Sequence, residues 1–183
     1  MLRPGLHPAA RRFLAAALIL LCGTATGFSP GGPIQANASE QKQYTFYYPV
    51  VGSSRLASVT RNLTLENDRA EQLSALIRTL AALTPDLAAS ELVPQLRLRR
   101  VFLDRAGTAY VDLTAPGERP QASDVAMERL CVWSIVNTLC YNFTDVRQVK
   151  VLVGGDEAET LFGHIDLSRP LLPDPRLIDE NER

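Results

Sequence analysis

Two periodicities divide the chain between Gln43 and Leu171. The run QYTFYY sets aromatics at Tyr44, Phe46 and Tyr48 and halts at Pro49, which predicts a strand. After Gly52-Ser53-Ser54, the residues Val59, Arg61, Leu63 and Leu65 alternate through a second extended piece, so the two strands predict a hairpin. The period then lengthens. Leu73, Leu76, Ile77, Leu80 and Leu83 share one helical face, opened by Asp68 with Glu71 three residues on and closed by Thr84-Pro85. Gln95 to Leu103 returns to strand, Asp104-Arg105-Ala106-Gly107 turns, and Ala109, Val111 and Leu113 line one face of the return strand. Ser123 is a candidate cap for a second long helix ending near Phe143. Val149, Val151 and Val153 alternate as a strand, Gly154-Gly155-Asp156 turns, and Leu161 to Leu167 is expected to close the sheet.

The order is strand, strand, helix, strand, strand, helix, strand, strand, with no internal repeat of roughly 20–50 residues. It predicts the α+β class: a single small domain whose mostly antiparallel sheet carries both helices on one face. The long helix before the last strand pair leaves room for a crossover, and with it a mixed sheet.

That second helix has two stripes. Val132, Ile135, Val136, Leu139 and Phe143 suit packing on a sheet, while Leu130, Trp133, Asn137, Cys140 and Tyr141 form another. No residue from Leu130 to Thr144 is charged, so the helix is expected to be buried on more than one side. The plainer reading packs the second stripe on the first helix and nearby loops. The sharper one makes Trp133, Asn137 and Tyr141 a partner-binding surface, because Trp and Tyr anchor interfaces.

The first forty residues are of another kind. Arg3, Arg11 and Arg12 precede the uncharged run FLAAALILL, and Gly, Pro and small residues follow. This is the layout of a signal peptide over 1–38, with Ala36-Asn37-Ala38 as the cleavage motif and 39–42 as a linker. The apolar stretch 13–28 falls short of the ~20 residues of a spanning helix. A retained anchor through it, or a lipidated Cys22, are the two tethered alternatives. The domain is expected over 43–171, and 172–183, acidic and carrying Pro173 and Pro175, as a flexible tail.

Removing the leader takes three of the 19 basic residues and none of the 20 acidic ones. The remaining chain is mildly acidic, which speaks against nucleic acid as a partner and leaves membrane contact to the N-terminal segment. Cys131 and Cys140 would then stand nine residues apart on one helix, ~13 Å along its axis. A bridge needs Cα atoms within ~7 Å, so they read as buried packing residues.

Several ordered features together resemble one family. They are an aromatic first strand ending Tyr48-Pro49, a leucine-rich helix followed by Pro, and a hairpin ending Tyr110-Val111-Asp112-Leu113. Asn137-Thr138-Leu139, Phe143, Val146, Val149-Lys150-Val151 and the Gly-Gly turn continue the set, and Gly163-His164-Ile165-Asp166-Leu167 with Pro170-Leu171 complete it. From about Tyr44 to Leu171 the chain is similar to the GerMN domain, the sporulation and spore-germination module. The resemblance implies a small α/β unit like the ring-building modules of membrane complexes. It also implies a place outside the cytoplasmic membrane and a role in protein interaction without catalysis.

The residues themselves offer little chemistry. A thiol nucleophile would need Cys131 or Cys140 beside His164, yet both cysteines sit in the apolar helix. Asp156, Glu157, Glu159, His164 and Asp166 lack zinc-ligand spacing, and no Gly-rich fingerprint calls for a cofactor. Arg97, Arg99, Arg100 and Arg105 form the one positive cluster, either a solvated strand face or a polyanion surface. The expectation is an exported, non-catalytic module that binds a cell-envelope protein through the second helix or a sheet edge. Its alternatives are a peptidoglycan-binding accessory protein acting through Arg97, Arg99 and Arg100, and a small hydrolase using His164.

Overall fold

Aromatic alternation builds the first hairpin as the sequence predicts. Strand β1 (Gln41–Pro49) pairs antiparallel with β2 (Leu56–Thr64), setting Tyr44 opposite Arg61 and Phe46 opposite Val59. The computed structural model describes residues 41–83, 96–114 and 125–179. The leader, Cys22 and the Ser123 cap lie outside these residues.

Helix α1 (Arg69–Leu83) starts where Asp68 Oδ1 accepts the Glu71 N–H at 2.9 Å, satisfying one orphan donor of the first turn. It buries Leu73, Leu76, Ile77 and Leu80. Strands β3 (Leu98–Leu103) and β4 (Thr108–Leu113) follow, then helix α2 (Val125–Asn142), β5 (Gln148–Val153) and the two-residue β6 (Asp156–Glu157). The second sheet has the order β3-β4-β5-β6, with β4 and β5 parallel and the other pairs antiparallel. The crossover through α2 thus gives the mixed sheet that the helix left room for.

Gly107 makes that crossover close. Its φ is +86°, and a Cβ there would stand 2.8 Å from the Asp145 carbonyl. The Gly107 carbonyl in turn accepts the N–H groups of Arg147 at 2.8 Å and Gln148 at 3.3 Å. The entry to β5 is therefore pinned on the β3–β4 turn, which fixes Val149 beside Ala109 and Val151 beside Val111. Those four side chains, with Phe46, Leu76, Ile135 and Leu139, belong to one continuous core. α1 packs on β3 and α2 on β1.

Three expectations need correction. The strands form two sheets, not one. The outward groups through which β1 would join the larger sheet are bonded to α2: Asn142 Oδ1 accepts Thr45 N–H at 2.9 Å, and Thr138 Oγ1 accepts Tyr47 N–H at 3.1 Å. The segment Leu161–Leu167 is not a closing strand, since Gly163 has φ +104° and the neighbouring N–H groups bond a side chain. The residues after Pro170, expected to be mobile, are docked as far as Asp179. Leu171 exchanges backbone hydrogen bonds with Val149, Pro175–Leu177 forms a 3-10 turn, and Asp179 N–H donates to the Leu56 carbonyl at 2.9 Å. Leu177 is buried against Leu56 and Leu130 in a second small cluster.

This docking is testable. Leu177→Ala should lower the unfolding free energy by about 2 kcal/mol, the low end for a buried leucine truncation. Urea denaturation measures it, and an unchanged midpoint would mean the segment contributes no packing.

Candidate functional site

The arginine cluster is split by a β-bulge. Leu98 pairs with Leu113 and Arg100 with Asp112, so Arg99 is the extra residue and both arginines oppose one aspartate. Asp112 is 1% exposed. Its Oδ1 accepts the Gly155 N–H at 2.8 Å, while Oδ2 makes no aligned hydrogen bond. Arg99 Nη1 and Arg100 Nε face that second oxygen, each at 3.3 Å. The contact is thus electrostatic cover for a buried charge and not a bidentate fork. One acid answers two guanidiniums that are themselves solvent-accessible.

Arg100 also lies over the Phe102 ring, 5.9 Å from its centroid, and Phe102 is half exposed. Phe102 stands opposite Tyr110 on the neighbouring strand. Among the described residues, β3 has a hydrogen-bonded strand neighbour on one side only. Arg97 does not join this group. It lines a shallow groove with Ile77, Arg78 and Ala81 of α1.

The second stripe of α2 is covered by the chain itself. Asn137 is fully buried; its side chain accepts the Asp174 N–H at 2.9 Å and donates to the Asp174 carbonyl at 3.1 Å. Trp133 Nε1 donates to the Leu172 carbonyl at 3.1 Å. Only Tyr141 remains open, 44% exposed and edge-on to Tyr47 with ring centroids 5.6 Å apart. Within this stripe Trp133 and Asn137 thus bond the C-terminal segment, and Tyr141 meets Tyr47 of β1.

A charged group unremarked in the sequence is central to the chemistry question. Glu128, in the first turn of α2, is fully buried. Its carboxylate accepts N–H groups from Phe162 at 2.9 Å, His164 at 3.0 Å and Ile165 at 3.3 Å, and His164 Nδ1 lies 2.8 Å away. Burial pushes the Glu128 pKa up, but the donors from Phe162, the His164 ring, Ile165 and the His164 backbone prevail and hold it below the usual value. The ionised carboxylate only accepts, so the His164 Nδ1 carries its proton toward it. His164 thus has a carboxylate partner of the kind that orients a general base, yet that carboxylate is also tied to three loop amides. Lys150, 3% exposed, does the same for the next loop, donating to the carbonyls of Leu167 at 3.0 Å and Ser168 at 2.7 Å.

The cysteines form no disulfide. Cys131 is buried, and burial pushes the Cys140 thiol up to about 12, far from a working thiolate. Among the described residues no His, Cys, Asp and Glu side chains converge in a way that could hold a metal. No helix among them is long and apolar enough to cross a membrane.

Comparison with known proteins gives one family match. The family model Germane, described as sporulation and spore germination, matches residues 45–159. Among solved structures, the tandem GerMN domains of the sporulation protein GerM from Bacillus subtilis align with a TM-score of 0.52 at 17% identity, covering 78% of this chain and 49% of that one. The chain thus spans about half of that tandem structure. The first GerMN domain of the same protein gives 0.41 at 18% identity, over 78% and 98% of the two chains. A candidate lipoprotein from Clostridium perfringens gives 0.47 at 18% identity, over 77% and 95%. The tandem structure shares the fold. No curated protein shows a significant match.

Glu128→Gln should destabilise the fold by about 2 kcal/mol at pH 7, since an amide cannot serve every donor of the loop. The lowered pKa of Glu128 means its contribution is complete above the unfolded carboxylate value near ~4.3 and drains as the pH falls through the lower folded value. Denaturation midpoints taken from pH 7 down to about pH 3 should therefore fall more gently in the variant than in the wild type. Parallel slopes would remove Glu128 from the acid response.

Proposed function

The chain belongs to the Germane family of sporulation and spore germination, and on that premise we propose that it is an exported, non-catalytic recognition module of the cell envelope. Its partner is a protein with an acidic surface, bound along the β3 edge. One observation carries this reading: the bulge sets Arg99 and Arg100 over a single buried acid, beside the half-exposed Phe102, on a strand with one hydrogen-bonded neighbour among the described residues. Arg and aromatic residues side by side are the composition of interface anchors, and unbalanced charge steers an oppositely charged partner. An edge strand also offers backbone groups to an added strand.

The non-catalytic reading is supported by how the reactive groups are used. The Glu128 carboxylate holds a loop, Lys150 holds the next one, and the thiols lie in the α2 packing. Export rests on the basic head, short apolar run and small-residue motif of residues 1–38.

The experiment is site-specific photo-crosslinking at Phe102 in growing cells. A discrete adduct with one envelope protein is expected, and Arg100→Gln should reduce its yield about tenfold, the effect of losing one well-placed charged contact. Arg99 stays in place so that Asp112 keeps a counter-charge. Adduct formation unchanged by Arg100→Gln would overturn the edge assignment. Co-sedimentation of the protein with purified sacculi, lost in the same variant, would move the binding to wall polymer.

A further inference from the structure

A second feature lies on the first hairpin. The face of β1 and β2 that does not enter the core carries two cross-strand pairs, Thr45 opposite Thr60 and Tyr47 opposite Ser58. These four hydroxyl side chains floor a cavity of about 470 Å³. Its walls are Tyr141 from the end of α2 and Pro175 with Ile178 from the docked C-terminal segment. That volume is within the roughly 300–1,000 Å³ of small-molecule sites.

The geometry points to this cradle as a binding site for a neutral saccharide. Among the described residues, none that lines the cavity carries a charge, and the ligand read from them is neutral. The floor offers hydroxyls in pleat register, and a hydroxyl donates once and accepts twice, so one already bonded still serves a ligand. Tyr47 and Tyr141 meet edge to face, and their rings supply the apolar body of the site against the C–H face of a sugar. Hydroxyls in a row beside aromatic surface are complementary to a ring that is polar at its rim and apolar on its face.

An extended peptide is the other ligand of this size, and the β1 side of the hairpin argues against it. A peptide laid as a strand needs free main-chain partners. Here Thr45 and Tyr47 have their outward N–H groups on Asn142 and Thr138, and the Leu56 carbonyl is held by Asp179. What faces the cavity is side-chain chemistry. The walls are also preformed: the paired bonds of Asn137 to Asp174 and the burial of Leu177 fix the segment that carries Pro175 and Ile178. A preorganised wall lowers the cost of binding.

The test is an amide NMR titration of the full chain, held in a detergent without a sugar headgroup, with chitotriose and cellotriose as probes. Saturable shifts centred on Thr45, Tyr47, Ser58, Thr60 and Tyr141 are expected with at least one of them. Tyr141→Ala should weaken binding at least about tenfold, and the exposed Thr60→Val, which removes one floor hydroxyl at a site that tolerates change, should weaken it severalfold. The inference is overturned by an absence of shifts with both sugars, by shifts elsewhere on the protein, or by affinity unchanged in both variants. Saturable shifts of the same residues by an extended peptide, with none from either sugar, would overturn it equally.

Discussion

Helix α2 is surrounded, and its polar side chains hold what surrounds it. Thr138 and Asn142 bond the outer edge of β1, Asn137 bonds both backbone groups of Asp174, and Glu128 gathers the amides of Phe162, His164 and Ile165. Trp133 adds a bond to the Leu172 carbonyl. Each of these ties a segment more than thirty residues distant in sequence to one helix. A buried hydrogen bond contributes only about 1 kcal/mol net, but breaking one side strands a partner at about 1–3 kcal/mol. The staples therefore specify the arrangement more than they add to its stability.

This constraint explains why the molecule has two sheets. A hairpin with Tyr44 and Phe46 on its inner face would extend the larger sheet if its edge were open. α2 occupies that edge. The same occupation creates the cradle: once α2 and the C-terminal segment flank the hairpin, its outer face becomes the floor of a cavity. In the larger sheet, β3 keeps a single hydrogen-bonded neighbour among the described residues.

Local patterns were readable and distant ones were not. The Asp68 cap, the leucine face of α1, the Gly107 turn and the alternation of β1, β4 and β5 all follow from residues near one another in sequence. Leu161–Leu167 imitates a strand because its apolar residues alternate, and only Gly163 argues otherwise. The carboxylate that shapes it lies on a helix 34 residues earlier at Phe162. The tail reads as mobile from its prolines and acids, though Leu177-Ile178 is an apolar pair that marks burial. The Arg97, Arg99 and Arg100 cluster was visible as charge, but its division is not, because a bulge turns Arg99 and Arg100 onto Asp112 while Arg97 lines the α1 groove. Trp133 and Asn137 illustrate the same limit: their bonds to Leu172 and Asp174 lie more than thirty residues away and leave no local signal.

Amide hydrogen exchange is the most direct test of the stapled helix. Thr45, Tyr47, Phe162, His164 and Asp174 all donate N–H groups to α2 side chains, outside any strand ladder or helix turn. Their protection should approach that of the core amides in β4 and β5 and should fall together with it under denaturant. Exchange of these five near the rates of an unstructured peptide, while β4 and β5 remain protected, would contradict the account.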